Sequence, residues 1–249
     1  MDGLSDKIKN SLNTLIVAAA IIICVLIAAN AAAARWTTGS VITVFGLGTK
    51  DFVSDLIVWD GSFARRGPDI KTAYADLDRD KDAVRRFLLA KGVDAKEIIF
   101  SAVAIAKEYV QLNGAPGTER TRFSGYRLSQ SVTVESFEVD KIEGVSRTVS
   151  ELINAGIELT SQSPRYFYTK LADLKLEMIA MAADDGRRRA EAIAQKSNGR
   201  LGKLKAATTD VFQIMAKNSS DTYTYGGIFD TSSKVKTATI TIKIQYAVK

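Results

Sequence analysis

Few residues of this 249-residue sequence could carry catalysis. The sequence contains no histidine, and its single cysteine, Cys24, lies in an apolar run. A Ser-His-Asp triad, a Cys-His pair, a histidine-ligated zinc ion and an internal disulfide are therefore excluded. Carboxylates, lysine, tyrosine and serine remain as possible acids, bases and nucleophiles. We predict from this inventory that the protein is not an enzyme and that it holds no metal and no cofactor.

An adjacent pair of carboxylates, Asp184 and Asp185, is the clearest candidate for acid–base chemistry. Neighbouring residues of a helix point about 100° apart, so the two side chains would not converge on one substrate. They also precede a basic run at spacings that allow local ion pairs; the run is Arg187, Arg188 and Arg189. We interpret the carboxylates as helix surface and the arginines as a solvated face or a subunit contact. A net charge of only +6 gives no argument for nucleic acid.

Three aspartates, Asp76, Asp78 and Asp80, resemble the beginning of a calcium-binding loop. Such a loop requires glycine at its sixth position and glutamate at its twelfth. In this sequence those positions hold Lys81 and Phe87. We therefore interpret the three carboxylates as part of the solvated face of a helix.

An uncharged apolar run over residues 15–34 predicts a membrane anchor. Twenty helical residues span ~30 Å, the thickness of the hydrocarbon core of a bilayer. A cleaved signal peptide is the alternative, because residues 31–34 are all alanine. The run exceeds the usual 7–15 apolar residues of a signal peptide, which favours an uncleaved anchor. The anchor positions are Leu15, Ile22, Leu26 and, in the headgroup zone, Trp36.

The charges beside this run predict its orientation. Lys7, Lys9 and the amino terminus precede it, whereas Arg35 alone follows closely. Positive charge is retained on the cytoplasmic side, so the amino terminus would be cytoplasmic. We predict two parts: residues 1–36 form a cytoplasmic tip with a transmembrane signal anchor, and residues 37–249 form a domain across the membrane.

Hydrophobic periodicity in the second part predicts an α+β fold. The expected order is β-β-α-β-β-α-β-α-β-β, a mostly antiparallel sheet with packed helices. Strands are predicted over residues 40–48, 52–65, 96–112, 123–137, 157–169, 200–217 and 237–248, and helices over residues 69–91, 140–156 and 171–196. Gly46 and Gly48 lack the third glycine and the following helix of a phosphate loop. We interpret them as a bulge or a close strand approach.

The last of these helices is the longest periodic segment. Its predicted apolar face consists of Leu171, Leu174, Met178, Met181, Ala182, Ile193 and Ala194, spaced by three and four residues. Gly186 interrupts the pattern at a cost of about 1 kcal/mol relative to alanine, so we expect a packing or bending reason for it. A later glycine-bearing loop carries Tyr223, Tyr225 and Phe229, which we predict to contact a partner, since tyrosine suits surfaces that are apolar on one side and wet on the other.

Several segments together resemble the SIMPL-domain family, also called DUF541, of bacterial envelope proteins. Residues 42–48 (ITVFGLG) are similar to the first strand of the family, and residues 123–127 (FSGYR) to its GYR strand. Residues 199–204 (GRLGKL) follow the long helix as in the family. The resemblance covers residues 40–249, and the apolar anchor with the strand over residues 58–63 is similar to the branch found in Bacteroidota.

The resemblance implies a function as well as a fold. It implies a membrane-anchored, self-assembling protein that faces the periplasm from the bacterial inner membrane, crosses it once, and is linked to oxidative or envelope stress. The implied partners are further copies of the chain in a ring-like homo-oligomer and the lipid bilayer through residues 15–34. The family supplies no catalytic residues. The alternatives are a periplasmic ligand- or peptide-binding module, with a cleft near residues 223–229, and a hydrolase that uses carboxylates.

Overall fold

A computed structural model describes residues 17–29, 41–112, 120–219 and 226–249. Within these residues the chain divides into two compact units. Unit 1 takes in the described residues of Met1–Val44 together with Arg187–Ala207 and Lys243–Lys249. Unit 2 comprises Phe45–Gly186 and Thr208–Ile242.

The described residues form four helices and ten strands. The helices are α1 (residues 17–29), α2 (Ile70–Ala90), α3 (Val139–Thr148) and α4 (Leu171–Lys196). The strands are β1 (Val41–Val53), β2 (Leu56–Gly67), β3 (Ile98–Phe100), β4 (Ala104–Leu112), β5 (Arg120–Ser136), β6 (Leu159–Ser161), β7 (Arg165–Phe167), β8 (Leu201–Thr209), β9 (Gln213–Ala216) and β10 (Val235–Val248). Short 3₁₀ segments over Ala95–Glu97 and Val149–Ala155 complete the described secondary structure.

The predicted membrane anchor is described only in part. Ile22 and Leu26 lie on α1 with exposed side chains, whereas Leu15 and Trp36 lie outside the described residues. Among the residues that the structure describes, no helix has the length and apolar character needed to cross a membrane. The anchor over residues 15–34 stays a prediction.

The α+β class and the antiparallel pairing are confirmed, but the strands form two sheets. The first sheet has the order β1-β10-β8, with β9 also paired to β10. The second has the order β3-β5-β2-β6, with β4 paired to β5 and β7 paired to β2. In the second sheet β5 runs antiparallel to β2, β3 and β4. In the first sheet, strand β10 shows the predicted alternation. Its inward-facing residues are buried; they are Ala238, Ile240, Ile242 and Ile244.

Three predicted strands are wrong in their continuity. The strand over residues 96–112 is a 3₁₀ turn followed by β3 and β4, and Gln130 Nε2 donates to the backbone carbonyl of Ser101 at 2.7 Å in the break. The strand over residues 157–169 is β6 and β7, which both pair with β2 on either side of Pro164. Proline has no N–H to contribute to a ladder. The strand over residues 200–217 is β8 and β9, separated at residues 210–212.

Helix α2 confirms the prediction for residues 69–91, and Asp69 is its N-cap. Its apolar face joins the core of the second sheet, which includes Ile57, Trp59, Phe63, Leu77, Val84, Leu88, Leu128, Val132, Val134 and Ile142. The interpretation of Asp80 as solvated is wrong, because its side chain is buried against Arg65 of β2. Asp76 and Asp78 do lie on the outer face, where they form ion pairs with Arg79 and Lys81.

The other two predicted helices differ from expectation in their details. Helix α3 begins at Val139, one residue before the predicted start; Glu138 is its N-cap without a capping side-chain hydrogen bond, and Asp140 lies in the first turn. The predicted helix over residues 140–156 is α-helical only as far as Thr148; a 3₁₀ segment follows, and Gly156, with φ of 73°, ends it. Helix α4 has the predicted extent, but Met181 and Ile193 are exposed. Its buried residues are Leu174, Met178, Ala182, Gly186, Ala190 and Ala194, a narrower stripe at four-residue spacing.

Candidate functional site

The two glycines of the first strand let α4 lie directly on β1. A Cβ atom added at Gly46 would come within 2.0 Å of the Ala182 carbonyl oxygen and 2.6 Å of the Gly186 nitrogen. One added at Gly48 would come within 2.5 Å of the Met178 carbonyl oxygen. The strand is closely approached as predicted, but the approaching element is a helix and not another strand; Gly186 has the expected packing reason. These glycines therefore serve helix–sheet contact and not phosphate binding.

The same helix protects the edge of β1. The Leu47 N–H donates to Asp185 Oδ2 at 3.0 Å, and Lys50 Nζ lies 2.6 Å from Glu177 Oε1. Unpaired N–H groups on an edge strand invite association with another strand. Asp185 thus acts on the backbone of β1, while Asp184 is exposed. The adjacent carboxylates have different surroundings and do not form one acid–base site.

Strand β4 and the beginning of β5 form a hairpin arm, defined here as residues 104–111 and 121–126. Its described side chains are exposed on both faces, with Glu108 and Tyr126 half-buried and Gly125 buried. A two-stranded ribbon buries little of its own surface and has marginal stability in isolation. The arm is therefore the part of the second sheet whose faces are most open to solvent.

A β-bulge determines which residues of the arm share a face. The pairing passes from Glu108 with Gly125 to Tyr109 with Phe123, so that Ser124 is the extra residue. Gly125 has φ of 146°, a value that L side chains rarely adopt, and a Cβ atom there would come within 2.6 Å of the Gly67 carbonyl oxygen. The bulge bends β5 and re-aims the side chains beyond it. As a result, residues 123 and 126 lie on the same face.

Three aromatic rings follow one another along that face. The ring centroids of Tyr109 and Phe123 are 5.9 Å apart and those of Phe123 and Tyr126 are 5.2 Å apart, both in edge-to-face orientation. Tyr126 packs against the buried core of the second sheet. Tyr109 and Phe123 are 57% and 43% exposed, and Ile105 on the same face is 55% exposed. The apolar face of the core thus continues along the arm into solvent.

The outer face of the second sheet carries a polar recess of about 370 Å³. The strand register places Ala64 opposite Ser129 and Arg66 opposite Arg127. Small side chains form the floor, and longer charged ones form the rim. The residues that line this outer-face recess are Ser62, Phe63, Ala64, Arg65, Arg66, Arg127, Ser129, Glu158 and Thr160.

The three arginines of the recess differ in whether they have an acidic partner. Arg65 Nε and Nη2 lie 2.5 Å and 2.8 Å from the Asp80 carboxylate, and this hydrogen bonding raises the pKa of Arg65. Arg66 Nε donates to Glu108 Oε1 at 3.0 Å. Arg127 forms no ion pair within the part of the chain that the structure describes. The recess therefore has an excess of positive charge at one end.

Each motif that carries the family resemblance contains a glycine in close contact. Gly46 meets α4, Gly125 meets the β2–α2 junction, and a Cβ atom at Gly202 would come within 2.8 Å of the Ala247 carbonyl oxygen. The family model SIMPL, described as "Protein of unknown function (DUF541)", matches residues 42–248. The chain belongs to the SIMPL family. No curated protein matches the chain.

The structure describes part of the predicted subunit-contact set in this SIMPL domain. Arg187, Arg188 and Arg189 are exposed on α4, and Arg187 Nε lies 2.9 Å from Glu191 Oε1. Phe229 is exposed and forms an isolated bridge with Ile214 of β9. Tyr223 and Tyr225 lie outside the described residues. The role of these residues as subunit contacts stays a prediction.

Sequence reasoning missed a buried lysine beside Phe229. Lys236 is buried, its Nζ donates to the carbonyl oxygens of Tyr166 (2.8 Å) and Asp230, and it lies 5.9 Å from the centroid of the Phe229 ring. Burial lowers the pKa of Lys236, and the charge of Asp230 opposes that shift. The parity of β10 carries a signal for this residue, since position 236 has the inward phase of Ala238. Lys236 holds the segment before β10 against β7.

A second recess, of about 680 Å³, lies beside the beginning of α3. Its rim carries three lysines and three carboxylates: Lys141, Lys170, Lys234, Asp55, Glu138 and Asp140. Ser54 also lines it, and the Ser54 Oγ is buried without a hydrogen-bond partner among the described residues. Its balanced charge gives no selection for an ion of either sign. Within the described residues, no group of three or more carboxylates or cysteines is placed to hold a metal ion.

Proposed function

We propose that this SIMPL-family protein is a non-enzymatic, self-assembling module of the bacterial envelope, anchored in the inner membrane through residues 15–34 and facing the periplasm. The observation that best supports self-assembly is the exposed apolar face of the hairpin arm. A link to oxidative or envelope stress belongs to the same proposal and rests on the family resemblance alone.

The arm suits an interface between copies because its apolar face has no cover in the described chain. Tyr109 and Phe123 pack ring against ring on that face, and Ile105 lies beyond Lys107 on the same side of β4, each of the three about half exposed. Contiguous exposed apolar surface marks interaction sites, and aromatic residues are enriched in interface cores. Complete burial of such a side chain contributes roughly 1.5–3 kcal/mol, so the exposed half of each would contribute about 1 kcal/mol on association.

Repetition of one such contact would produce a symmetric oligomer. Closed rotational symmetry is expected, because a head-to-tail interface that does not close gives filaments. Anchoring every subunit from one side of a membrane favours a ring whose axis is the membrane normal. The exposed Arg187, Arg188 and Arg189 and the segment with Tyr223, Tyr225 and Phe229 supply further surfaces for neighbouring subunits in this proposal.

The test compares two double variants of the full chain in mild detergent by multi-angle light scattering. Tyr109→Ser with Phe123→Ser removes two exposed rings from the arm. Phe45→Ser with Leu47→Ser is the matched control, because these residues are similarly exposed, at 59% and 46%, but lie on β1. We expect an oligomer for the wild type and the control, and a dissociation constant raised at least about tenfold for the arm variant, equivalent to about 1.4 kcal/mol.

Two results would reject the proposal. One is a monodisperse wild-type monomer at tens of micromolar. The other is equal dissociation of the arm variant and the β1 control, which would mean that general loss of surface hydrophobicity, and not the arm, governs association.

A further inference from the structure

We propose that the outer-face recess binds a small hydroxylated anion. In this site a phosphate or carboxylate group lies between Arg66 and Arg127, and the hydroxyl groups of the ligand contact the floor and the opposite rim. Self-assembly through the arm does not require this site, so rejection of one proposal would leave the other unaffected.

The opposition of Arg66 and Arg127 is the first argument for an anion. The two residues are direct partners in the antiparallel pairing of β2 with β5. Partners of this kind have Cβ atoms roughly 4.5–5.5 Å apart on one face of the sheet, and like charges there are destabilising. An oxyanion between two guanidinium groups removes the repulsion and accepts paired, charge-assisted hydrogen bonds from both.

The surrounding carboxylates leave this position available. Glu108 reaches Arg66, whose side chain is 69% exposed, and an ion pair with such exposure contributes roughly 0–1 kcal/mol. A ligand can therefore displace or share that contact. Arg127 has no carboxylate within ion-pair distance in the described part of the chain. Arg65 is committed to Asp80 and does not compete for the anion.

The floor of the recess indicates the rest of the ligand. Ala64 and Ser129 face each other at its centre, with Ser62 and Thr160 beyond them. Small side chains leave room for a ligand to lie against the sheet. The hydroxyls of Ser62, Ser129 and Thr160 form no hydrogen bonds with other described residues and can each donate and accept one. Hydroxyl groups of a short polyol match them better than an apolar chain would.

Glu158 limits the ligand to one anionic end. It lines the recess with Thr160, on the β6 side of β2, whereas Arg127 lies across β2 on β5. A second anionic group near Glu158 would be repelled, while a hydroxyl can donate to its carboxylate. The class of ligand is therefore a short polyol with a single phosphate or carboxylate group.

The experiment is isothermal titration calorimetry on the full chain in mild detergent with three probes: glycerol 3-phosphate, glycerate and glycerol. We expect one or both of the anions to bind and glycerol to give no signal at the same concentration. Binding of glycerol 3-phosphate alone assigns phosphate as the anionic group, binding of glycerate alone assigns carboxylate, and binding of both assigns a general oxyanion site. Binding of neither anion at millimolar concentration overturns the proposal.

Matched arginine variants locate the site. Arg127→Ala and Arg66→Ala should each weaken binding at least tenfold, whereas Arg122→Ala should change it less than twofold. Arg122 is exposed on the same strand but does not line the recess. Equal weakening by all three variants would show that net charge attracts the anion, and would overturn the assignment. Thermal unfolding checks that the variants still fold. Since Arg127→Ala removes the repulsion between Arg66 and Arg127, its Tm should be unchanged or raised.

Discussion

Within unit 2, helix α2 and the part of helix α4 up to Gly186 pack on sheets by opposite means. Helix α2 contacts the second sheet through large side chains, among them Leu77 and Leu88 of the helix and Trp59 of β2, all fully buried. Helix α4 contacts β1 through residues that have almost no side chain, Gly46 against Ala182 and Gly186. In the first contact side chains interdigitate, and in the second the backbones of helix and strand touch.

The difference predicts how each contact responds to mutation. When a smaller residue replaces a large one in such a core, the free energy of unfolding falls in proportion to the cavity that remains. Neighbouring side chains move to fill part of that cavity. A backbone contact has no rotamer that can move aside, so one added methyl group must displace the helix. The glycine contact should therefore be the less tolerant of the two, although it buries less apolar surface for each residue.

The largest effect is expected for Gly46→Ala. The new Cβ atom would lie 2.0 Å from the Ala182 carbonyl oxygen, which belongs to a helix backbone. We expect the free energy of unfolding to fall by roughly 4 kcal/mol, more than the 1–3 kcal/mol of ordinary overpacking. Urea unfolding followed by circular dichroism measures it.

Gly144→Ala is the matched control for that variant. Gly144 is an exposed residue of α3, and no heavy atom lies within 4 Å of a Cβ atom built there. Removing glycine flexibility at such a site raises the free energy of unfolding by about 0.4–1 kcal/mol. A loss below about 1 kcal/mol for Gly46→Ala would mean that α4 can shift away from β1 freely, and the contrast between the two contacts would not hold.

The second largest effect is expected for Leu77→Ala, which tests the contact of α2 with the second sheet. Leu77 is 1% exposed in the core beneath α2. Truncation of a buried leucine costs 2–5 kcal/mol, and we expect about 3 kcal/mol because neighbouring side chains relax only in part. The same urea titration applies. A larger loss than that of Gly46→Ala would reverse the proposed order of tolerance.

A smaller effect is expected for the ion pair that joins α2 to β2, tested by Asp80→Asn. Removal of one partner from a fully buried pair costs 3–5 kcal/mol. The Asp80 side chain is 9% exposed but that of Arg65 is 36% exposed, so solvent screens the remaining charge and we expect about 2 kcal/mol. Asp78→Asn, at an exposed ion pair on the same helix, is the control and should change stability by less than about 1 kcal/mol. Equal effects of the two variants would contradict a structural role for the Asp80 pair.

Local periodicity was sufficient to predict the elements that make the comparison possible. The spacing of apolar residues predicted α2 and α4 with nearly correct ends, and the alternation in residues 237–248 predicted β10. The glycines of β1 were correctly interpreted as a close approach, although a helix and not a strand makes it. Their contact partner was not predictable, because Ala182 and Gly186 of α4 lie 136 and 140 positions further along the chain than Gly46.

The features that the sequence did not predict share one cause. Each depends on contact partners that are distant in the sequence. In the sequence, Asp80 cannot be distinguished from its solvated neighbours, because its partner Arg65 comes beside it only through the packing of α2 on β2. Arg66 and Arg127 come together only through the register of β2 with β5. The division into two sheets likewise depends on pairings that single-strand patterns do not contain. Residues that could carry the proposed anion site therefore had no signal in the sequence alone.

The smallest effect concerns the beginning of α2 and depends on pH. The Thr72 N–H donates to Asp69 Oδ2 at 2.9 Å, and this backbone hydrogen bond, followed by that of the Thr72 hydroxyl, lowers the pKa of Asp69 below 3.8. The folded state thus binds fewer protons at Asp69 than the unfolded state does. The contribution of Asp69 is complete above pH 3.8 and is lost as the pH falls through the lowered value.

Asp69→Ala should therefore reduce Tm slightly at neutral pH and by a smaller amount at a pH below the pKa of the folded state, because the protonated carboxyl still offers its carbonyl oxygen as an acceptor. Thermal unfolding between pH 7 and pH 2 measures the difference. Asp69→Asn keeps an acceptor for the Thr72 N–H and does not titrate, so it should match the wild type at neutral pH while lacking its loss of stability in acid. A deficit of Asp69→Ala that is equally large at pH 7 and pH 2 would mean that the charge of Asp69 does not contribute to the cap. If the prediction holds, the large side chains beneath α2, and not its first turn, supply most of the stability of this contact, as the comparison with α4 requires.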